Sequence, residues 1–322
     1  MNILVTGGCG FIGSNFIRYV LGKRPSVRIF NIDKLTYAGN PANLRDIESD
    51  SRYHFIHGDI CDSVLVKDLV RREMITTIVH FAAESHVDRS ISDASDFIRT
   101  NVLGTFTLLE AALSEHIDRF IHISTDEVYG STNEGSFTES DPLNPSSPYS
   151  SSKAASDLIA RSYFITHGLP VIITRCTNNY GPFQYPEKLI PLFITNLLEG
   201  KNIPVYGTGT NVRDWIHVLD HCRAIDCILE NGTPGEIYNI GGDNERSNIE
   251  ITSMILDALG KDESCIEYVK DRLGHDFRYS LDSSKLKSLG WKPEYSFDQG
   301  LHETVAWYKA NAWWWHPLKH PR

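Results

Sequence analysis

The sequence predicts an α/β protein with a doubly wound parallel sheet and a smaller C-terminal domain. Short apolar runs alternate with helical patterns through the first half, and a glycine-rich turn follows the first run. The alternation weakens after about residue 176. Buried parallel strands read as continuous β-branched runs, and strands that alternate with helices indicate a parallel sheet covered on both faces.

Six apolar runs, rich in β-branched and aromatic residues, predict the strands of this sheet. They cover residues 3–5, 29–32, 53–56, 78–81, 120–123 and 171–174. The intervening apolar periodicity predicts helices near 11–23, 62–73, 94–115 and 149–167. The polar, turn-rich segment 132–148 predicts a surface loop.

The 322 residues are enough for two domains. Prolines and glycines divide the chain after residue 176 into short segments. We expect the first domain over 1–176, with part of the later chain returning to it. We expect the second, over 177–322, to lie above the carboxyl ends of the strands and to bind the substrate there.

Composition and charge disfavour several classes of protein. The net charge is −10, from 31 basic and 41 acidic residues, whereas nucleic-acid and anionic membrane surfaces require a basic footprint. Six cysteines without a CxxC pair favour reduced thiols over a disulfide framework or a Cys-rich zinc site. The chain has no signal-peptide pattern and no run of about 18 apolar residues. We therefore expect a soluble cytoplasmic protein.

A metal site is the alternative that the 13 histidines raise. The pairs His54/His57 and His80/His86 lack the spacing of a zinc-binding HExxH helix, and most histidines lie in or near predicted strands. The sequence therefore predicts no metal.

Gly7, Gly10 and Gly13 follow the first strand directly and open the first helix. Such glycines permit a tight turn, close approach of a pyrophosphate and close helix–strand packing, and the helix N-terminus faces the anion. Asp33, at the end of the second strand, is placed to accept hydrogen bonds from an adenosine ribose and to repel a 2′-phosphate. NAD is therefore favoured over NADP, although Lys34 keeps NADP open.

Residues after the third and fourth strands extend the same groove. Asp59 and Ile60 are expected near the adenine, with a helix cap as the alternative for Asp59. Ala82 and Ala83 are expected to line the groove, with ordinary small-residue packing as the alternative. The predicted cofactor-binding residues are Gly7, Gly10, Phe11, Ile12, Gly13, Asp33, Lys34, Asp59, Ile60, Ala82, Ala83, Tyr149 and Lys153.

Tyr149 and Lys153 lie four residues apart near the start of the fourth predicted helix, so their side chains share a face. A lysine ammonium favours the phenolate of a neighbouring tyrosine, which can accept the proton of an alcohol as its hydride leaves for NAD. The spacing is common on helices by itself. It indicates chemistry here because it follows a dinucleotide motif and a strand that ends in Ser124 and Thr125.

Thr125, Asp126 and Glu127 follow the fifth strand, at the edge of the sheet where ligands bind. Repulsion between adjacent carboxylates separates their pKa values, so that one acts as an acid and the other as a base. Such a pair can remove water across two adjacent carbons, while Thr125 bonds the reacting oxygen. A solvated turn with a helix cap is the alternative. We predict catalytic roles for Thr125, Asp126, Glu127, Tyr149 and Lys153.

Eight segments carry a resemblance to a known family. They are GGCGFIGSNF at 7–16, FAAESHVDRS at 81–90, TDEVYG at 125–130, YSSSK at 149–153, NNYGPFQYPEKLIP at 178–191, YGTGTNVRDWIHVLDH at 206–221, YNIGG at 238–242 and GHD at 274–276. Along almost its entire length the chain resembles the extended short-chain dehydrogenases/reductases, and within them the sugar-nucleotide 4,6-dehydratases. The TDE triplet is the most specific element, because related epimerases have no such carboxylate pair. Cys9 and Phe277 depart from the pattern, which has alanine and arginine there.

The resemblance implies a Rossmann-type fold, tightly bound NAD and a lyase that acts on dTDP-glucose or a similar nucleotide sugar. Tyr149 would take the O4 proton, Glu127 the C5 proton, and Asp126 would protonate the departing C6 hydroxyl. The product would be a 4-keto-6-deoxy sugar for the biosynthesis of rhamnose or another deoxysugar. The helices near 94–115 and 149–167 resemble those of a four-helix homodimer interface.

The resemblance also implies a set of substrate-binding residues. The residues implied around the diphosphate and nucleoside are Arg213, Asn248, Arg272 and His275. Those implied near the sugar and its phosphate are Ser85, Thr125, Asn178, Lys188 and Leu189. Those implied beside the base are Pro204 and Tyr206. Without the resemblance, we would interpret the arginines as solvated surface charges and the asparagines as helix caps or turn residues. The choice between dTDP and UDP stays open, because one methyl group is worth only about 1–3 kcal/mol in a pocket.

Two alternatives to a dehydratase remain. An epimerase or decarboxylase of the same family would share the cofactor site, but its reaction would not need the pair Asp126 and Glu127. A non-catalytic NAD-binding sensor is a different class, and the complete catalytic set disfavours it. Trp307 and Trp313 to Trp315 are expected to pack against the body of the protein or to mark a contact surface.

Overall fold

The structure is a computed structural model that describes residues 1–271 and 276–320. The strands are β1 (Asn2–Thr6), β2 (Arg28–Asp33), β3 (Tyr53–His57), β4 (Thr77–His80), β5 (Arg119–Thr125), β6 (Val171–Cys176), β7 (Asn178–Tyr180), β8 (Ile203–Tyr206), β9 (Val212–His217), β10 (Ile237–Ile240), β11 (Glu245–Ser247) and β12 (Ile266–Val269). The α-helices are α1 (Phe11–Lys23), α2 (Ser63–Arg72), α3 (Val87–Ser92), α4 (Ser95–Phe97), α5 (Thr105–Ser114), α6 (Pro148–His167), α7 (Leu189–Leu198), α8 (Val218–Asn231), α9 (Asn248–Leu259), α10 (Ser284–Lys287), α11 (Phe297–Ala310) and α12 (Ala312–Lys319).

The central sheet has seven parallel strands in the order β10-β6-β5-β4-β1-β2-β3. All six predicted strands are present, and the predicted doubly wound fold is confirmed. Helices α1 and α8 pack on one face of the sheet, and α2, α5 and α6 pack on the other. Each face carries its own apolar core, so the β-branched strands are buried on both sides.

The helix predicted over 94–115 is not one regular helix. Its middle, Ile98–Gly104, has π-helical hydrogen bonding and separates α4 from α5. Gly104 packs there against Ile60, and a Cβ on this glycine would lie 2.5 Å from the Ile60 Cδ1 atom. The chain is therefore helical throughout 95–114, as predicted, and the apolar periodicity did not predict the π-helical hydrogen bonding within it.

The chain beyond Cys176 contributes both to the sheet and to a separate layer. Strand β10 adds to the sheet beside β6, and α8 packs against α1. The remaining strands form a three-stranded sheet, β11-β9-β7, and a pair, β12-β8. Helices α7, α9, α11 and α12 share an apolar core with these strands. The boundary at residue 176 stays a prediction.

The tryptophans near the C-terminus differ in exposure. Trp314 and Trp315 are buried in the core of the later chain and Trp307 packs against it, whereas Trp313 is 51% exposed. All six cysteines are free thiols. Within residues 1–271 and 276–320, no helix has the length and apolar character needed to cross a membrane.

Candidate active site

One cavity of about 330 Å³ opens along the carboxyl ends of β1 to β6. All the predicted cofactor-binding and catalytic residues line it, together with Ser85, Asn178 and Lys188. Successive strands deliver these side chains to one edge because the strands are parallel, which is where ligands bind in such sheets.

The glycine turn lies at the end of β1. Gly7 has a φ of +67°, a conformation that favours glycine, and a Cβ there would lie 2.7 Å from the Ala82 Cα atom. A Cβ on Gly13 would lie 2.6 Å from the Gly7 carbonyl oxygen. Helix α1 begins at Phe11, and its first residues, Phe11, Ile12 and Gly13, line the cavity; the N-terminus of a helix is a site that favours a pyrophosphate. The turn therefore fits a dinucleotide.

We expect Gly13→Ala to lower the affinity for NAD at least tenfold, because the added methyl group collides with the turn. Gly22→Ala is the matched control on the same helix, since a Cβ at Gly22 meets nothing within 4 Å. Its expected effect is a small gain in stability of about 0.5–1 kcal/mol. The cofactor retained through purification and the titrated affinity measure the effect. Equal retention by both variants would contradict this account of the turn.

Asp33 at the end of β2 is held by backbone amides. Its carboxylate accepts hydrogen bonds from the N–H groups of Cys9 and Leu35, both at 2.8 Å, while burial raises its pKa. Lys34 forms an ion pair with Asp59 at 3.0 Å, so its charge is already offset. Because Asp59 offsets Lys34, the Asp33 carboxylate sets the charge on this side of the cavity, and it favours NAD over its 2′-phosphorylated form.

Asp59 does not cap the helix that follows it. Its carboxylate accepts a hydrogen bond from the Cys61 N–H at 2.9 Å, whereas Asp62 caps α2 through the N–H groups of Val64 and Leu65. The alternative that Asp59 is the cap of that helix is therefore wrong.

Tyr149 and Lys153 lie in the first two turns of α6, which Ser147 caps by accepting a hydrogen bond from the Ser150 N–H at 3.1 Å. Both side chains are buried, and the Lys153 ammonium donates to the Ile123 carbonyl oxygen at 2.7 Å. Burial lowers the pKa of Lys153 to about 8. Burial, and then the charge of Glu127, raise the pKa of Tyr149 well above its usual range. The phenolate therefore needs positive charge beside it.

Asp126 and Glu127 begin a 3₁₀ turn, Asp126–Tyr129, that follows β5. The Thr125 hydroxyl donates to the Asp126 carboxyl at 3.1 Å and accepts from the Glu127 N–H at 3.3 Å. Burial, and then the charge of Glu127, raise the pKa of Asp126 to about 8. The second oxygen of Asp126 is buried without a hydrogen-bond partner. Asp126 is thus predominantly protonated at neutral pH, as a general acid must be.

The predicted substrate residues divide into three groups. Ser85 and Lys188 meet at the cavity, where the ammonium donates to the Ser85 carbonyl oxygen at 3.1 Å, and Asn178 opens β7 beside them. Five other predicted residues do not line this cavity: Leu189, Pro204, Tyr206, Arg213 and Asn248. Two more, Arg272 and His275, lie outside the described residues.

Arg213 is buried rather than a solvated surface charge. Its guanidinium donates to the Asp276 carbonyl oxygen at 2.9 Å and lies 4.4 Å from the centre of the Tyr279 ring. Its positive charge opposes part of the rise in the pKa of Asp126, which burial and the charge of Glu127 cause. This residue therefore lies within electrostatic reach of the catalytic turn.

Sequence reasoning missed a loop after β2 and residues before α7. In these two segments the lining residues are Thr36, Tyr37, Ala38, Gly39, Gln184, Tyr185 and Glu187. The sequence could have indicated that the first four residues line the cavity, because they follow the carboxyl end of β2, the strand next to β1. The last three lie in the segment 178–191 that carries the family resemblance, which was the one signal for them.

One group of candidate metal ligands occurs among the described residues, far along the chain from this cavity. Glu199, His316 and His320 place one ligand atom each within 4.8 Å of one another. Lys201 and Lys319 already donate to Glu199, at 2.8 and 2.9 Å. Two ammonium groups on the same carboxylate disfavour a divalent cation there.

The fold and the site are those of the extended short-chain dehydrogenases/reductases. A family model described as GDP-mannose 4,6 dehydratase matches residues 4–304, and the chain belongs to this family.

Within the family the chain is similar to dTDP-glucose 4,6-dehydratases. It is 54% identical to that of Streptomyces niveus, over 100% of this chain and 96% of the relative. The crystal structure of DesIV, a dTDP-glucose 4,6-dehydratase from Streptomyces venezuelae with NAD bound, superposes with a TM-score of 0.96 at 56% identity, covering 99% of this chain and 100% of the other. The crystal structure of the dTDP-glucose 4,6-dehydratase of Bacillus anthracis, also in complex with NAD, superposes with a TM-score of 0.93 at 53% identity and covers 99% of each chain.

Proposed function

We propose that the protein is an NAD-dependent lyase that converts dTDP-glucose to dTDP-4-keto-6-deoxyglucose and water. The observation that carries the proposal is the turn at Asp126 and Glu127, where a carboxyl with a pKa raised to about 8 adjoins a second acid beside Tyr149 and Lys153. Neither an epimerase nor a decarboxylase needs an acid and a base for loss of the C6 hydroxyl.

The glycine turn, with Asp33 and Lys34, holds the cofactor. NAD, when bound, accepts hydride from the C4 carbon and later returns it to C6. At O4, Tyr149 removes the proton while Lys153 stabilises the phenolate, and Thr125 bonds the same oxygen. The resulting 4-keto group acidifies the C5 hydrogen.

The two carboxyl groups then carry out the elimination. Glu127 removes the C5 proton as a general base, and protonated Asp126 gives its proton to the C6 hydroxyl, which leaves as water. Ser85, Asn178 and Lys188 would hold the sugar and its phosphate. Leu189, Pro204, Tyr206, Arg213 and Asn248 would surround the rest of the nucleotide, in the substrate domain over 177–322.

The test uses dTDP-glucose with deuterium at C4 and no added cofactor. We expect a 4-keto-6-deoxy product that carries deuterium at C6. Deuterium lost to solvent would overturn the proposed sequence of steps, and a 4-epimer with its C6 hydroxyl intact would establish an epimerase instead. UDP-, GDP- and CDP-glucose in parallel define the nucleotide preference.

Asp126 gives the elimination step a specific pH dependence. As the pH rises through about 8, this group loses the proton that it donates, so the elimination rate should fall. Asp126→Asn should lower the elimination rate roughly 10²–10⁴-fold and remove this limb of the profile. If the elimination rate of Asp126→Asn still fell as the pH rises through about 8, Asp126 would not be the general acid.

The same substitution should stabilise the fold. The pKa of Asp126 is raised above its unfolded value of about 3.9, so its contribution to stability is full below that pH and is lost as the pH rises through about 8. The melting temperature of Asp126→Asn should therefore exceed that of the wild type by a margin that grows from pH 4 to pH 8. A margin independent of pH would contradict this linkage.

We also propose a homodimer that forms through α5, α6 and the residues before α5. Large apolar side chains are exposed on these elements: Ile98, Leu103, Phe106, Leu158 and Ile165. Patches of this kind mark association surfaces. We place the protein in the cytoplasm, where six free thiols stay reduced.

Leu158→Glu should convert the dimer to a monomer, because Leu158 is 58% exposed in the isolated chain and a carboxylate there cannot be buried unpaired. Val64→Glu on α2 is the matched control, since Val64 is 79% exposed outside this patch. Light scattering after size exclusion measures the mass. A monomeric wild type, or a Leu158→Glu variant that remains a dimer, would overturn the proposal.

A further inference from the structure

A buried chain of hydrogen bonds links the two elements that carry the catalytic residues. Arg175 on β6 donates through Nε to Asp157 at 2.9 Å and through Nη1 to the Tyr129 hydroxyl at 2.7 Å. The Tyr129 hydroxyl in turn donates to the Asn239 Oδ1 atom at 2.9 Å. All four residues are at most 3% exposed.

The ends of this chain lie next to the active site. Asp157 is one helical turn after Lys153 on α6, and Tyr129 is the last residue of the turn Asp126–Tyr129. The Tyr129 ring is fixed on its faces as well: it stacks on Phe137, with centroids 5.0 Å apart, and the Arg175 guanidinium lies 4.7 Å from its centroid.

The turn Asp126–Tyr129 lacks the strand pairing that holds the preceding residue; besides the Tyr129 hydroxyl, it is held by the Asn144 N–H, which donates to the Val128 carbonyl oxygen at 3.0 Å. Thr125 belongs to β5, whose partner Cys176 on β6 holds it by strand pairing. Asp126 and Glu127 lie beyond the last paired residue of β5. The chain then turns away at Gly130, which has a φ of +82°.

We propose that Tyr129 is a positioning residue, whose hydroxyl holds the turn so that Asp126 and Glu127 act together in the elimination. This inference rests on the proposed function. The phenol suits the place because it accepts from a guanidinium and donates to an amide oxygen at the same time. Phenylalanine would leave the Arg175 Nη1 and the Asn239 Oδ1 atoms without a hydrogen-bond partner in the core. Because unpaired buried polar atoms are costly, the surrounding residues would rearrange to find new partners, and this would displace the turn.

The two halves of the reaction should respond differently. Oxidation at C4 uses Thr125, Tyr149 and Lys153, which lie outside the turn. Elimination needs two carboxyl groups aligned at once, and a misplacement of about 1 Å can cost 10²-fold in rate. Loss of the hydroxyl should therefore slow elimination while leaving oxidation close to normal.

The experiment compares Tyr129→Phe with the wild type in single turnovers of the NAD-loaded enzyme on dTDP-glucose. We expect product formation to slow about 10–100-fold, oxidation to change by less than about threefold, and reduced cofactor to accumulate. Amide hydrogen exchange should become faster at residues 126–130. If Tyr129→Phe kept the wild-type ratio of elimination rate to oxidation rate, with both rates either unchanged or slowed equally, the proposal would be overturned.

Tyr238→Phe is the matched control. Tyr238 is 3% exposed, precedes Asn239 on β10, and its hydroxyl accepts from the Thr233 N–H at 3.1 Å, outside the chain of bonds. It should lose comparable stability without changing the ratio of the two rates. An equal change of the ratio in this variant would show a general effect of destabilisation and overturn the proposal.

A second variant covers the case in which Tyr129→Phe does not fold. Asn239→Ser keeps the bond between Arg175 and Tyr129 but shortens the acceptor and removes the bond that the Asn239 Nδ2 atom donates to the Phe137 carbonyl oxygen at 3.0 Å. The ratio of the elimination rate to the oxidation rate should therefore move in the same direction by a smaller factor. An unchanged ratio in this variant would then count against the proposal. A wild-type protein that forms no 4-keto-6-deoxy product refutes the proposed function instead, which separates the two failures.

Discussion

Replacing Glu127 with glutamine should stop the reaction after oxidation. The amide keeps the shape of the side chain but cannot take the C5 proton, so product formation should fall roughly 10²–10⁴-fold. Thr125, Tyr149 and Lys153 are unchanged, so the C4 hydroxyl should still be oxidised and reduced cofactor should accumulate. Its near-ultraviolet absorbance, followed together with the 4-keto product, measures the two steps separately.

Exchange with solvent gives an independent test of the same group. In D₂O the wild type should introduce deuterium at C5, whereas Glu127→Gln should not. Glu134→Gln, on the exposed loop after β5, is the control for a change of charge and should behave as the wild type. Rapid C5 exchange in Glu127→Gln would assign the general base to another group and remove the main support for the proposed mechanism.

The strands and the catalytic edge were predictable because each depends on local sequence. A buried parallel strand has a continuous apolar sequence, and the residue that follows it lies at the carboxyl edge of the sheet wherever the helices pack. Asp33, Thr125 and Asp126 could be placed in this way. The start of α6 was equally local, since Ser147 and Pro148 mark a helix N-terminus.

Features that depend on tertiary contacts could not be predicted. The helix predicted over 94–115 is present as continuous helical chain over 95–114, but its π-helical stretch, where Gly104 packs on the sequence-distant Ile60, was not predicted. Arg213 was not predicted to be buried, because its partners Asp276 and Tyr279 come from a distant loop.

The hydrogen-bond chain through Tyr129 shows the same limit within the site. Arg175 could be seen in the sequence as a charged residue in an apolar strand, but its partners come from α6, from the turn after β5 and from β10. The sequence singled out the groups that we propose to react, but it gave no role to the groups that hydrogen-bond around them. Tyr129 and Asn239 lie inside two of the segments that carry the family resemblance, but the sequence analysis gave them no role, and Asp157 and Arg175 lie outside all eight segments.

Lys153→Met should abolish the first step and with it the whole reaction. The Lys153 ammonium is buried within one helical turn of Tyr149, whose pKa is raised by burial and by the charge of Glu127. Without the ammonium the phenolate loses its stabilising charge, so oxidation should slow roughly 10²–10⁴-fold. In contrast to Glu127→Gln, no reduced cofactor should accumulate.

The pH dependence of oxidation tests this role without a mutation. Burial lowers the pKa of Lys153 to about 8, so the charged form is present below that pH and is lost as the pH rises through it. Single-turnover oxidation in the wild type should therefore fall above about pH 8, and the residual rate of Lys153→Met should lack this dependence. Methionine replaces a charge that is costly to bury, so the variant should fold. Lys67→Met on the exposed face of α2 is the control. If Lys153→Met accumulated reduced cofactor, its defect would lie after oxidation, and the positive charge beside Tyr149 would not be what activates the phenol.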